Sequence, residues 1–293
     1  MRAMPTMLIE PQDLASHLAD PQWAIIDCRF DLARPDWGAQ AWAAGHIPGA
    51  LYAHLDRDLS GPRTPLSGRH PLPSPAVLAA TFGRFGIDAT VQVVAYDQGA
   101  GAFAARLWWL LRWLGHSQVA VLNGGLAAWE QAGLPVSAHP ATRAPRRFTG
   151  SADEAMLASG EEVAAAVSAG ALDSGAVLLV DARSADRFAG DNESIDPVAG
   201  HVPGARNHPF TGNHDAGGRL LPTSQLRGAW QQTLRGHPPQ QVIAMCGSGV
   251  TACHNLLALE VAGLPGARLY AGSWSEWIRD PSHAVARGPE TAP

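Results

Sequence analysis

Three cysteines occur among 293 residues: Cys28, Cys246 and Cys253. An odd and sparse set does not build a disulfide scaffold, and no C-x-x-C pair suggests a zinc site. Each thiol is therefore read singly. Cys28 ends an apolar, strand-like run and is expected to be a small buried hydrophobe. Cys246 opens Cys246-Gly247-Ser248-Gly249-Val250-Thr251-Ala252, between an apolar run and a helical pattern. A thiol there faces a helix N-terminus, whose positive potential favours the thiolate. The two glycines let successive N–H groups curve into an anion-binding nest. A phosphatase loop would need C-x5-R, and Ala252 stands at the arginine's place. A redox pair with Cys253 would span two helical turns, about 10 Å, against the ~7 Å that a disulfide tolerates between Cα atoms. Cys253 is thus expected in the core. What remains is a thiolate that accepts a sulfur atom and passes it on.

The elements that must position this loop occur twice. Ile26-Asp27-Cys28-Arg29 resembles Val180-Asp181-Ala182-Arg183, and Gly45-His46-Ile47-Pro48-Gly49-Ala50 recurs as Gly200-His201-Val202-Pro203-Gly204-Ala205. Val93–Asp97 lies opposite Val242–Cys246, and Leu122–Trp129 opposite Leu269–Trp277, with offsets of 148 to 155 residues. Repeats in one order at nearly constant spacing indicate one domain duplicated. The expected domains are 1–136 and 151–293, joined by a Pro- and Arg-rich linker over 137–150. Residues 176–180, 241–245 and 91–96 read as buried strands. Residues 251–262 and 103–114 read as helices ended by Gly263 and Gly115. Strand–helix alternation predicts an α/β fold, each copy a small mostly parallel sheet with helices on both faces. Ligands in such sheets bind beyond the carboxyl ends of the strands. There the first copy has Asp97 where the second has Cys246.

Composition excludes other classes. Hydrophobic residues make up 46% of the chain and charged residues 16%, with a net charge of −5 and no long run of one sign. Neither a nucleic-acid footprint nor a membrane span is expected. The opening residues show no signal peptide, so a cytoplasmic protein is expected.

Tandem copies, the G-H-[IV]-P-G-A turn in each, Asp97 in the first and C-G-S-G-V-T-A in the second resemble the rhodanese superfamily, specifically its two-domain thiosulfate/3-mercaptopyruvate sulfurtransferases. The resemblance covers nearly the whole chain. It implies a catalytically silent N-terminal domain and a C-terminal domain whose Cys246 forms a persulfide. It implies no cofactor and no metal. A small-molecule sulfur donor would be drained by a thiol acceptor such as thioredoxin, or by cyanide. Gly247 and Ser248 give the neutral loop that resembles the mercaptopyruvate branch; thiosulfate enzymes carry basic residues there. The resemblance further implies a proton relay of Ser248, His70 and Asp58, although the loop carrying His70 is one residue longer than the form compared. Arg187, in a D-x-R-F segment, would hold the donor carboxylate, and Gly247, Gly249, Val250 and Thr251 would line its site. Many mercaptopyruvate enzymes have a second arginine nine residues on, where this chain has Asp196. Thiosulfate as donor is the alternative, and a persulfide carrier without turnover is a further one.

Other features read as structural. His46, His201, Arg29 and Arg183 recur in both copies, the silent one included. His208 and His214 do not match a metal spacing. Trp108, Trp109 and Trp113 are expected in core or interface. Trp277 has the counterpart Trp129, whereas Trp274, standing where the first copy has Leu126, is a candidate pocket residue.

Overall fold

The computed structural model describes residues 7–289, so the first six residues of the stretch read for a signal peptide lie outside the described residues. The chain divides into two compact units. The first takes in 1–61, 72–153 and 214–220; the second takes in 62–71, 154–213 and 221–293. The 137–150 stretch groups with the first unit.

The first unit holds strands β1 (Leu8–Ile9), β2 (Trp23–Asp27), β3 (Leu51–Tyr52), β4 (Gln92–Tyr96) and β5 (Val119–Leu122) in the order β1-β5-β4-β2-β3. The second holds β6 (Leu178–Asp181), β7 (Arg206–Asn207), β8 (Val242–Met245) and β9 (Arg268–Leu269) in the order β7-β6-β8-β9. Every strand pair is parallel. Such strands are covered on both faces, which is why β8 is an unbroken apolar run and β6 is apolar up to its last residue, Asp181, rather than alternating. The predicted strands appear with small shifts at their starts. The strand expected over 176–180 begins at Leu178 and runs on to Asp181.

The expected helices form as Ala104–Trp113 and Thr251–Val261. Each ends where Gly115 (φ +83°) or Gly263 (φ +70°) takes a left-handed conformation that a β-carbon would disfavour. In the second unit Leu179, Ile243 and Met245 meet Phe188, Val202, Trp274 and Trp277 in one core cluster. In each sheet the chain steps to one side of its second-crossing strand and then returns to the other. The reversal falls between β6 and β8 in the second unit, and between β2 and β4 in the first. A crevice opens at the carboxyl ends of strands flanking such a reversal. Cys246 directly follows β8, and Arg183 follows β6. Among the described residues no helix is long and apolar enough to cross a membrane.

Candidate active site

Cys246 is held from beneath by the next β-strand's sequel. Its N–H donates to Ser273 Oγ (3.1 Å), and its carbonyl accepts from Trp274 N–H (3.0 Å). The Gly247 carbonyl accepts from Ser275 N–H (2.9 Å). Ser273 has φ +54°, a strained value for serine, and its hydroxyl is fixed by donating to the Tyr270 carbonyl (2.9 Å) while accepting from Cys246. The loop then turns over the sulfur: Gly249 N–H donates to Cys246 Sγ at 3.2 Å. Gly249 has φ +74°, and a β-carbon there would collide with the Ala271 carbonyl oxygen. A donor aimed at sulfur, at the mouth of the helix Thr251–Val261, stabilises negative charge on it.

The corresponding loop of the first copy is filled from within. Buried Asp97 occupies the equivalent place, and its own carboxylate fills the cradle. Oδ1 accepts from Gly99 and Gly101 N–H, both at 3.0 Å, and Oδ2 from Phe103 and Ala104 N–H at 2.9 and 3.4 Å. The first unit thus carries a built-in carboxyl group where the second carries a thiol, with burial pushing that carboxyl up in spite of the N–H donors around it.

Ser248 and His70 come together. Both are buried, and Ser248 Oγ lies 2.8 Å from His70 Nδ1. His70 reaches it because 62–71 packs within the second unit although it is written inside the first copy. Arg69 N–H donates to Ser275 Oγ (3.0 Å), which seats this segment on the turn that supports Cys246. Asp58 belongs to the first unit, where Oδ2 accepts from His54 N–H (2.9 Å) and Oδ1 pairs with Arg84 Nη2 (2.8 Å).

Arg187 lies on the short helix Ala185–Ala189, beside the inward-packed Phe188. Its guanidinium forks onto Glu193 (2.9–3.2 Å) and touches Asp196 Oδ2 at 3.2 Å. The other oxygen of Asp196 pairs with Arg69 Nη1. Glu193 and Asp196 are almost wholly buried. Burial pushes the Asp196 carboxyl above the usual carboxylate range in spite of Arg69 and Arg187. At Glu193 burial acts the same way, but the Asp196 N–H and the Arg187 fork outweigh it and the carboxyl falls below its usual range. A β-carbon on Gly247 would come within 2.8 Å of Arg69 Nη2 and 3.6 Å of Arg187 Nη2, so both guanidiniums lean over the residue after the cysteine.

Sequence patterns alone missed Arg69 and Glu193. Arg69 and Asp196 are 127 residues apart, beyond any spacing rule, and the one available signal was that Arg69 immediately precedes His70. Arg183 behaves as its recurrence implied. It pairs with Asp181 and donates to the Gly200 carbonyl (2.8 Å), as Arg29 pairs with Asp27 and donates to the Gly45 carbonyl (2.7 Å). The matched histidines are likewise structural: His46 Nδ1 lies 2.7 Å from the Trp42 carbonyl oxygen and His201 Nδ1 2.8 Å from that of Phe188. Cys28 and Cys253 are buried, and Cys253 Sγ donates to the Gly249 carbonyl (3.3 Å). His208 Nε2 is taken by Asn213 Oδ1 at 3.1 Å. The expectation that Trp274 lines the pocket fails. Trp274 is fully buried in the core, its Nε1 bonded to the Val198 carbonyl and its ring covered by the Arg183 guanidinium at 4.8 Å. The larger indole fills core volume rather than substrate space.

A family model described as "Rhodanese-like domain" matches residues 10–132 and again 163–280. The chain is 50% identical over 283 residues, 96% of its length and 98% of the other's, to a Pseudomonas aeruginosa protein named "Probable 3-mercaptopyruvate sulfurtransferase". It is also 35% identical over 252 residues to a thiosulfate sulfurtransferase of Cricetulus griseus, covering 83% and 81% of the two chains. Among solved structures, the crystal structure of SseA from Escherichia coli, described as a 3-mercaptopyruvate sulfotransferase, superposes with a TM-score of 0.79 at 32% identity, covering 92% of this chain and all of that one. With one copy of the fold built around Asp97 and the other around Cys246, the chain belongs to the rhodanese family as a tandem, two-domain sulfurtransferase.

Proposed function

We propose that the protein transfers sulfur from 3-mercaptopyruvate to a thiol acceptor or to cyanide through a persulfide on Cys246. The observation that carries this reading is the pairing, in one short loop, of a backbone donor on Cys246 Sγ with a Ser248 hydroxyl bonded to buried His70. A neutral hydroxyl–imidazole pair suits a donor whose cleavage requires a proton to move.

In the first half-reaction the Cys246 thiolate attacks the donor's sulfur. A sulfur–sulfur bond forms, and the carbon–sulfur bond breaks with its electron pair passing to carbon as the enolate of pyruvate. The donor's thiol proton is delivered to that carbon, and Ser248 with His70 carries it. Cys246 is left as a persulfide anion under the loop amides, among them Gly249 N–H. Arg187 holds the donor carboxylate. Asp58 is kept as the outer member of the relay on family resemblance; unchanged pyruvate release in Asp58→Asn would remove it. In the second half-reaction an acceptor thiolate or cyanide takes the terminal sulfur and restores the Cys246 thiolate. Covalent storage between two half-reactions gives ping-pong kinetics.

The test is direct. Incubation with 3-mercaptopyruvate should add the mass of one sulfur atom to the peptide containing Cys246, and Cys246→Ser should abolish both adduct and pyruvate release. Turnover without that adduct would sink the mechanism. Thiosulfate is the second reading, favoured by relatives named for it and by the two guanidiniums over Gly247. Initial rates for the two donors at equal concentration separate the readings.

A further inference from the structure

We infer that Arg69 is a second donor-binding cation of this site, acting beside Arg187 on the carboxylate of the donor, with Asp196 aiming it. The inference rests on the proposed reaction and names a residue that the sequence motif does not supply.

Arg69 comes from 62–71, the segment that also delivers His70, and its backbone is fixed by the bond to Ser275 Oγ. Its side chain is 17% exposed, so it is a largely sheltered cation rather than a surface one. One end of the fork, Nη1, is taken by Asp196. Nη2 overhangs Gly247, next to the reactive cysteine, where the Arg187 fork also converges. Nε is buried and has no hydrogen-bond partner among the described residues. A buried guanidinium donor left unpaired is costly unless something else accepts from it. An anionic group entering over Gly247 would do so, and guanidinium geometry matches a carboxylate in two-point contact. Gly247 is part of the same device: any side chain there would occupy the space into which the two guanidiniums lean.

Asp196 has two effects of opposite sign. Its carboxylate spans Arg69 and Arg187, which sets the spacing of the two cations. Its charge also competes with the incoming anion for both. Asparagine keeps an acceptor for Arg69 and removes the competing charge. A purely structural Arg69–Asp196 brace and a donor-binding Arg69 therefore predict different signs for the two halves of the pair.

The experiment uses the full-length protein and measures single-turnover pyruvate release against 3-mercaptopyruvate concentration, with the Cys246 persulfide quantified by mass in parallel. Arg69→Met should raise the half-saturating concentration at least about tenfold, the loss expected for one charge-assisted hydrogen-bonding group, with the maximal rate held within about threefold. Arg69→Lys should fall between. Asp196→Asn should lower the half-saturating concentration. An unchanged value in Arg69→Met overturns the inference, as does a rise in Asp196→Asn matching that of Arg69→Met, which is the signature of a brace. If the unaltered protein gives neither persulfide nor pyruvate from 3-mercaptopyruvate, the proposed reaction itself fails and the inference falls with it. The two failures are thus distinguishable.

Discussion

At the scale of single residues, the proposed mechanism gives Cys246, Ser248 and His70 different work. The sulfur needs electrostatic support, which the Gly249 amide supplies. The serine needs a base or acid within hydrogen-bonding reach, and His70 Nδ1 lies 2.8 Å away. Two groups that move one proton act as a unit, so their losses should not add. Ser248→Ala and His70→Gln are each expected to lower the single-turnover rate of pyruvate release by about 10²-fold, the lower end of what a positioned proton carrier contributes. The double variant should be no slower than the worse single variant. Additive losses would mean that the two side chains act on separate steps. Of the candidates, Cys246 was nameable from the chemistry of its own loop, whereas Ser248, His70 and Arg187 were named on the family resemblance. The pairing of Arg69 with Asp196 was not legible, since nothing local distinguishes an arginine before His70 from an ordinary loop cation. Trp274 was misread for the same reason: a change from leucine to tryptophan in one copy does not say which way the ring points.

At the scale of elements, the two loops after β4 and β8 are alternative solutions to one problem. Each follows a buried parallel strand and opens a helix, so its N–H groups point into a space with no backbone partner. In the first unit the Asp97 carboxylate accepts four of them. In the second, sulfur takes the place and leaves room for charge that appears only during reaction. This contrast gives a stability prediction. Asp97→Ala would strand several buried donors, and is expected to destabilise the first unit by about 3 kcal/mol, measured as a lowered urea midpoint. Asp97→Asn, which retains an acceptor, should cost less. Cys246→Ala removes one weak sulfur acceptor and should change the midpoint little. The strands and helices themselves were readable from periodicity, since buried parallel strands must be apolar throughout and their glycine stops are distinctive. Strand starts were less so, because β6 and its approach are apolar on both sides of the boundary.

At the scale of the whole molecule, duplication explains which segments carry chemistry. The first unit takes in 214–220 from the second copy's sequence, and the second takes in 62–71 from the first copy's. The 214–220 segment lies among groups of the first unit. Gly218 approaches Ala100, Arg219 pairs with Glu10, and Leu220 N–H donates to Asn123 Oδ1 at 2.9 Å. The 62–71 segment has the corresponding place beside the Cys246 loop, but there it brings Arg69 and His70. On the proposed function, a segment at an equivalent place is thus structural in one unit and supplies reacting groups in the other. Replacing 62–71 with a Gly/Ser segment of equal length should leave the far-ultraviolet circular dichroism nearly unchanged, because 62–71 contains no helix or strand. It should nevertheless lower kcat/KM for 3-mercaptopyruvate by about 10³-fold, combining loss of a proton carrier with loss of a cation. The same replacement of 214–220 should leave kcat/KM within about threefold, since that segment packs on Glu10, Ala100 and Asn123 of the first unit, and lower thermal stability instead. Equal kinetic damage from both replacements would show that the segments matter only as packing, and would remove Arg69 and His70 from the chemistry together.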